Sequence, residues 1–364
     1  MLRRVVFACT LGLLLLLSPP ALCGDPSQPQ DPEPPFPYRV ETVAYRNGPV
    51  QLAGTLTLPP GPGPHPAVIL VTGSGSQDRD YAFAGHRPFL VLADNLTRAG
   101  LAVLRTDDRG VGGSTGLPDT TTTLDLAGDV HMAWRYLAGR PDIDAQRIGF
   151  VGHSEGASAA VLAAGLGEPA FLVLLAPPAV PGWRVLLEQK RAQMVVDPVP
   201  RPDDQLALYR AALDIVVHTE DPRAMELALY EVSRRQVNLA FGEAGVPDKQ
   251  GRIRTAVARS MTPWFVFFAR YDPVPALERV RVPVLGVWGS MDLQVPPSQN
   301  LKAFREALAG NPDVRTAVLL NVNHQMQTCQ KCTLDEVPRL RQTLTPELLD
   351  LLREWIPPRV GLGD

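Results

Sequence analysis

Gly152-His153-Ser154-Glu155-Gly156 follows the apolar run 148–151 and leads into a stretch of small residues, 157–166, with helical character. A G-x-S-x-G pentapeptide between a strand and a helix reads as a nucleophile elbow, a sharp turn that lifts the serine hydroxyl clear of the sheet edge. The glycines have a steric reason. Side chains at 152 and 156 would run into the neighbouring strand and helix, and the turn itself is strained. Outside such a setting the pentapeptide carries little weight, because short patterns recur by chance. The competing reading is a tight strand–helix turn that merely contains a serine.

Working outward, apolar runs at 67–71, 101–106, 147–151, 171–175, 284–288 and 316–320 alternate with helical patterns at 88–99, 124–138, 155–166 and 298–309. A last helix over 346–356 opens on Thr345-Pro346, a capping residue followed by proline. Segments 38–45 and 50–58 read as an antiparallel pair joined at Asn47-Gly48. Strands that are continuously apolar are buried on both faces, which implies a mostly parallel sheet flanked by helices. Between 171–175 and 284–288 lies helical pattern with no clear strand, far longer than an ordinary loop. Helices at 183–196, 205–218 and 224–239, with a Trp/Phe-rich segment around 264–268, are expected to form a cap over 181–280. It would be inserted between two parts of one core, 38–180 and 281–364. Such an insertion is expected to overhang the carboxyl edge of the sheet, where open α/β folds bind ligands.

A serine hydroxyl is a poor nucleophile until a base takes its proton and an acid orients that base. On an elbow of this kind the acid and then the base come from later in the chain. Of six histidines (His65, His86, His131, His153, His218 and His324), only His324 follows the last long apolar strand. His153 adjoins the serine, but neighbouring side chains at a strand end diverge, so it is not expected to reach the hydroxyl. The acid should leave the preceding strand, and 284–288 runs into Gly289-Ser290-Met291-Asp292. The candidate catalytic residues are therefore Ser154, Asp292 and His324. Asp313 is the nearest rival acid, placed before the next strand. An oxyanion needs two backbone donors: the amide of Glu155, and one from Gly73-Ser74-Gly75-Ser76, where Ser74 is the first choice and Gly75 the second. That loop lacks the lysine of a phosphate-binding loop.

Leu70-Val71-Thr72-Gly73-Ser74-Gly75-Ser76-Gln77-Asp78-Arg79-Asp80 and 104–116, which contains Asp107-Asp108-Arg109-Gly110, resemble bacterial carboxylesterases of the α/β-hydrolase superfamily. Gly152–Gly156, Pro263-Trp264-Phe265, Tyr271-Asp272-Pro273 and Asp292-Leu293-Gln294-Val295-Pro296 extend the resemblance over nearly all of the chain after residue 37. It implies an α/β-hydrolase fold and a Ser–Asp–His esterase that uses no cofactor or metal and acts on a small-molecule ester. Two departures stand out: Ser76, where related sequences often carry proline, and the cysteine pair after His324. The same triad serves other acyl transfers, so a serine peptidase or thioesterase is the rival enzyme reading, and a non-catalytic surface-binding protein the rival outside enzymes. The charged residues Asp78, Arg79, Asp80, Asp107, Asp108 and Arg109 read as loop-bracing ion pairs. Trp183, Trp264, Phe265, Phe267 and Phe268 suit either an acyl pocket or plain cap packing. The run Thr120–Thr123 reads as a helix cap.

A net charge of −3 over 364 residues, 45% of them hydrophobic, argues against an electrostatic nucleic-acid binder and allows one large core. Residues 1–23 read as an export signal: Arg3 and Arg4, an apolar run 5–17 too short for a membrane span, then a small-residue region ending at Cys23. The expected destination is periplasmic or extracellular. A lipid anchor on Cys23 ranks second, because Leu22 before it is bulky. Residues 24–37 are proline-rich and read as a tether. Apart from Cys9 and Cys23, the cysteines are Cys329 and Cys332. In an exported chain such a C-x-x-C pair reads as a structural disulfide before a redox or zinc site.

Overall fold

The computed structural model describes residues 28–242 and 248–362. The expected signal over 1–23, with Cys9 and Cys23, lies outside the described residues. Contacts divide the chain into two compact units, one of them the helical stretch Pro181–Tyr271 and the other the sheet with its helices on either side of it in sequence.

Among the described residues the sheet unit holds eight strands: β1 (Arg39–Asn47), β2 (Val50–Leu58), β3 (His65–Val71), β4 (Ala102–Thr106), β5 (Ile143–His153), β6 (Leu172–Leu175), β7 (Val284–Gly289) and β8 (Val314–Leu319). Their order is β1-β2-β4-β3-β5-β6-β7-β8. β1 pairs antiparallel with β2 and β2 antiparallel with β4, and every later pairing is parallel. The parallel strands are the continuously apolar ones. From Ala67 to Val71, from Ile148 to Val151 and from Val284 to Val287 almost every side chain is buried, because helices cover both faces. The helices are α1 (Pro88–Arg98), α2 (Thr123–Ala138), α3 (Glu155–Ala164), α9 (Val274–Leu277), α10 (Pro297–Ala307) and α11 (Pro346–Arg359). Trp288 and Phe304 meet edge to face at 5.1 Å in the core, and the Phe171 ring occupies the space that a Cβ on Gly149 would need. Thr122 caps α2 with a reciprocal bond to Asp125, the capping box that the threonine run foreshadows.

The helical unit comprises α4 (Gly182–Val196), α5 (Pro202–His218), α6 (Pro222–Phe241), α7 (Lys249–Ser260) and α8 (Pro263–Arg270). α5 packs on α6 and α6 on α7, around buried Leu213, Val216, Leu229, Val237 and Ile253. Its two ends are joined where the Gly182 amide donates to the Tyr271 carbonyl at 2.9 Å. Trp264 stacks on Phe268 at 5.3 Å within this unit.

Three expectations need correction. The helical unit closes at Tyr271, short of residue 280, because Leu277 and Val280 are buried in the core of the sheet unit. Residues 28–37, the described part of the expected tether, are held down: Gln30 bonds the amides of Thr343 and Leu344, and Asp31 pairs with Arg87 at 2.7 Å. Thr345 does not cap α11 with its side chain, since its hydroxyl turns to Glu347 instead.

Candidate active site

Ser154 sits between β5 and α3 with φ +55° and ψ −122°, a conformation that costs a non-glycine residue of order 1–3 kcal/mol. The turn is as tight as the pentapeptide implies. A Cβ on Gly152 would overlap the Gly156 carbonyl, and one on Gly156 would overlap the carbonyls of Val71 and Thr72. Ser154 is also the N-cap position of α3, so Glu155 contributes one of the helix's first amides. Such amides lack an intrahelical partner and carry the positive end of the helix dipole.

The structure brings Ser154, His324 and Asp292 into one line. Ser154 Oγ lies 3.0 Å from His324 Nε2, and His324 Nδ1 lies 2.8 Å from Asp292 Oδ2. A carboxylate only accepts, so Nδ1 carries the proton and the Nε2 lone pair faces the serine hydroxyl. Asp292 is buried beyond β7, and its Oδ1 accepts the amides of Gln294 and Val295 at 2.7 and 2.8 Å. Burial alone would raise its pKa. The neighbouring His324 and these hydrogen bonds outweigh burial and hold the carboxyl below its ordinary range. His324 rides on a narrow hairpin after β8: Val322 bridges Thr328, the Asn323 amide donates to the Gln327 carbonyl, and the Met291 amide reaches the Val322 carbonyl at 3.0 Å. Asp313, the rival acid, pairs with Arg359 at 2.8 Å. His218 bonds the Asp214 carbonyl at the end of α5.

The loop 72–77 lies against the elbow. A Cβ built on Gly73 would come 3.2 Å from Ser154 Cβ, so Gly73, the residue before the expected donor Ser74, lies against the serine. Asp108 braces both ends of this loop, accepting from the Thr72 hydroxyl at 2.7 Å and from the Gln77 amide at 2.9 Å. The Gln77 side chain closes it onto the Ser74 carbonyl at 2.9 Å. Burial, with the charges of Glu155 and Asp129 adding to it, pushes the Asp108 carboxyl up to about 7. Of the other charged residues, Arg79 forks onto Asp107, Arg105 meets Asp80, and Arg109 holds Asp129 and Asp125, whereas Asp78, expected in an ion pair, accepts the amides of Asp80 and Ala82 instead. Glu155 accepts the Thr123 hydroxyl at 2.6 Å.

His153 has no role in the expected triad. Its side chain turns from Ser154 to the base loop, with Nε2 2.7 Å from the His324 carbonyl and Nδ1 3.0 Å from the Tyr81 hydroxyl. Chain order holds no signal for a contact of this kind. Cys329 and Cys332 are joined in a disulfide just beyond the His324 hairpin. Among the described residues no group of three or more His, Cys, Asp or Glu is arranged to hold a metal ion, and no helix is long and apolar enough to cross a membrane.

Residues 84–328 match the family model of the serine aminopeptidases, S33. The chain belongs to that α/β-hydrolase family. Its relatives include the esterase EstD of Thermotoga maritima, 26% identical over 76% of this chain and 58% of EstD. An uncharacterised protein of Mycobacterium tuberculosis is 43% identical over 24% of this chain and 30% of its own length. The chain thus spans between about a third and three fifths of these curated relatives. Among solved structures the family fold recurs in the α/β hydrolase GrgF from a Penicillium species, with a TM-score of 0.55, 16% identity and coverage of 89% and 99% of the two chains. The proline iminopeptidase of Mycobacterium smegmatis gives 0.53 at 20% identity over 89% and 100%. An esterase of Pyrococcus furiosus gives 0.52 at 17% over 93% and 98%. These identities speak for the α/β-hydrolase fold alone.

Proposed function

We propose that the protein is an exported serine hydrolase that cleaves carboxylic esters through an acyl-enzyme on Ser154. The observation that carries this reading is the unbroken line from Ser154 Oγ through His324 to the buried Asp292 carboxylate. His324 Nε2 takes the serine proton as Oγ attacks the ester carbonyl, and Asp292 stabilises the imidazolium that forms. The amides of Ser74 and Glu155 hold the developing oxyanion, each worth on the order of 3 kcal/mol in such sites. His324 then protonates the leaving alcohol, and water releases the acid by the same route. The likeness to EstD favours an ester substrate. Export is supported by the signal-like residues 1–23 and by the Cys329–Cys332 disulfide, since such bonds persist in oxidising compartments.

The family description favours a second reading, a peptidase that removes amino-terminal residues. A p-nitrophenyl ester series from acetate to palmitate, run beside aminoacyl arylamides on the wild type and Ser154→Ala, separates the two. Ester turnover lost in the variant supports the esterase. Arylamide turnover alone moves the assignment to peptidase, and inactivity on both refutes the hydrolase reading for these substrate classes.

A further inference from the structure

We propose that His153 and Tyr81 are positioning residues that latch the base: His153 Nε2–H holds the His324 main-chain carbonyl, and the Tyr81 hydroxyl, donating to Nδ1, fixes the tautomer that makes this possible. The inference rests on the reading of Ser154 as nucleophile and His324 as base.

The proton assignment follows from the partners. A main-chain carbonyl only accepts, so at 2.7 Å from it His153 Nε2 must carry a hydrogen. A neutral ring then presents a lone pair at Nδ1, which at 3.0 Å takes the Tyr81 hydroxyl proton. Burial, with repulsion from His324 next, pushes the His153 imidazole down to about 3, so the neutral form persists at every working pH. The two histidine rings lie 4.8 Å apart and tilted by 54°, so His153 also bounds the space into which the His324 ring could swing.

Tyr81 extends the latch to the third loop. Its hydroxyl fills the space that a Cβ on Gly73 would need. Its ring meets Phe89 of α1 at 5.0 Å and His153 edge-on at 5.5 Å. Tyr81 itself has φ +57°, a left-handed backbone that an aromatic residue seldom adopts. One phenol therefore ties together the elbow through His153, the base hairpin through the His324 carbonyl, and the loop that carries Ser74. Sequence separations of 72 and 171 residues are closed by the two bonds. The latch acts through His324. Its effect is on where Nε2 of His324 points, and sub-ångström aim is what a proton transfer needs.

The test compares wild type with Tyr81→Phe, His153→Leu and His153→Gln on two readouts. The first is the rate at which a fluorophosphonate labels Ser154, which needs no knowledge of the substrate. The second is kcat/KM for the p-nitrophenyl and ethyl esters of one acid. The ethyl ester needs His324 to protonate its leaving group, whereas p-nitrophenolate departs without help, so a misaimed imidazole penalises the ethyl ester more. Labelling is expected to slow about tenfold in Tyr81→Phe and up to about a hundredfold in His153→Leu. The ethyl ester should lose more than the p-nitrophenyl ester in both. His153→Gln, whose side-chain amide can replace the Nε2 donor, should recover part of the loss. Unchanged rates, or equal losses on both esters, overturn the latch and leave His153 as packing. If His153→Leu does not fold, the isosteric Tyr81→Phe decides the matter by the same ratio. A wild type that neither labels nor hydrolyses overturns the hydrolase reading, and the latch with it.

Discussion

Asp292 Oδ2 accepts His324 Nδ1–H at 2.8 Å while its Oδ1 is taken up by two amides of its own loop, so the carboxylate is clamped before it orients the imidazole. Asparagine at 292 could keep the amide bonds only by turning its NH2 toward Nδ1, which would enforce the wrong histidine tautomer. Asp292→Asn is therefore expected to lower kcat by about three to four orders of magnitude with the fold intact. Steady-state kinetics beside a circular dichroism spectrum check this. A loss below tenfold would mean that Asp292 does not serve the base. Because the Asp292 carboxyl lies below its ordinary range, the stability it contributes is present at neutral pH and is lost only as pH falls through that depressed value.

The strain at Ser154 gives a prediction that separates function from stability. Alanine at this position keeps the φ of +55°, and glycine relieves it at the cost of extra chain entropy on folding. With strain of order 1–3 kcal/mol against an entropy term below about 1 kcal/mol, Ser154→Gly should unfold at higher urea than Ser154→Ala by about 1 kcal/mol. Neither should turn over ester. Equal midpoints would show that the elbow stores no strain.

Much of the fold was legible because burial leaves a mark on composition. The central strands are unbroken apolar runs, and β3, β5 and β7 fall where those runs lie. α7 left little mark because KQGRIRTAVARS, with its glycine and four cations, carries only the short apolar stripe of Ile253, Ala256 and Val257. At the site, chain order was enough to select Ser154, Asp292 and His324, the three side chains that the fold brings into hydrogen-bonding line. It could not tell Asp107 from Asp108. These neighbours point to opposite partners at the end of β4, Asp107 to the Arg79 guanidinium and Asp108 to Thr72 and Gln77. Only the tertiary structure reveals that one is an ion pair and the other a brace.

That brace carries a pH signature. The Asp108 carboxyl is raised to about 7 in the folded protein, while an unfolded aspartate titrates near 3.9. The native state therefore keeps a proton that the unfolded chain gives up. Stability from this group is fully present below about pH 4 and is lost as pH rises to about 7, by on the order of 1–4 kcal/mol. Asp108→Asn keeps an acceptor for the Gln77 amide and a group to bond Thr72, yet does not ionise. The stability difference between wild type and variant should hence shift in the variant's favour between pH 4 and 8 in parallel urea titrations. A difference that stays constant with pH would place the Asp108 carboxyl in its ordinary range.

The Cys329–Cys332 bond closes a very short loop, so by restricting the unfolded chain it stabilises the fold by only about 2 kcal/mol. The hairpin that carries His324 has supports of its own. The Cys329 amide reaches the Asn321 carbonyl at 2.9 Å, and the Thr345 amide reaches the Met326 carbonyl at 2.8 Å. On the far side, the Glu336 carboxylate gathers the amides of Gln330, Lys331 and Cys332. Replacing both cysteines by serine should thus lower the unfolding free energy by about 2 kcal/mol while kcat stays within a factor of about three. A collapse of kcat without a matching loss of stability would show that the disulfide, and not the hairpin bonds, sets the position of the base.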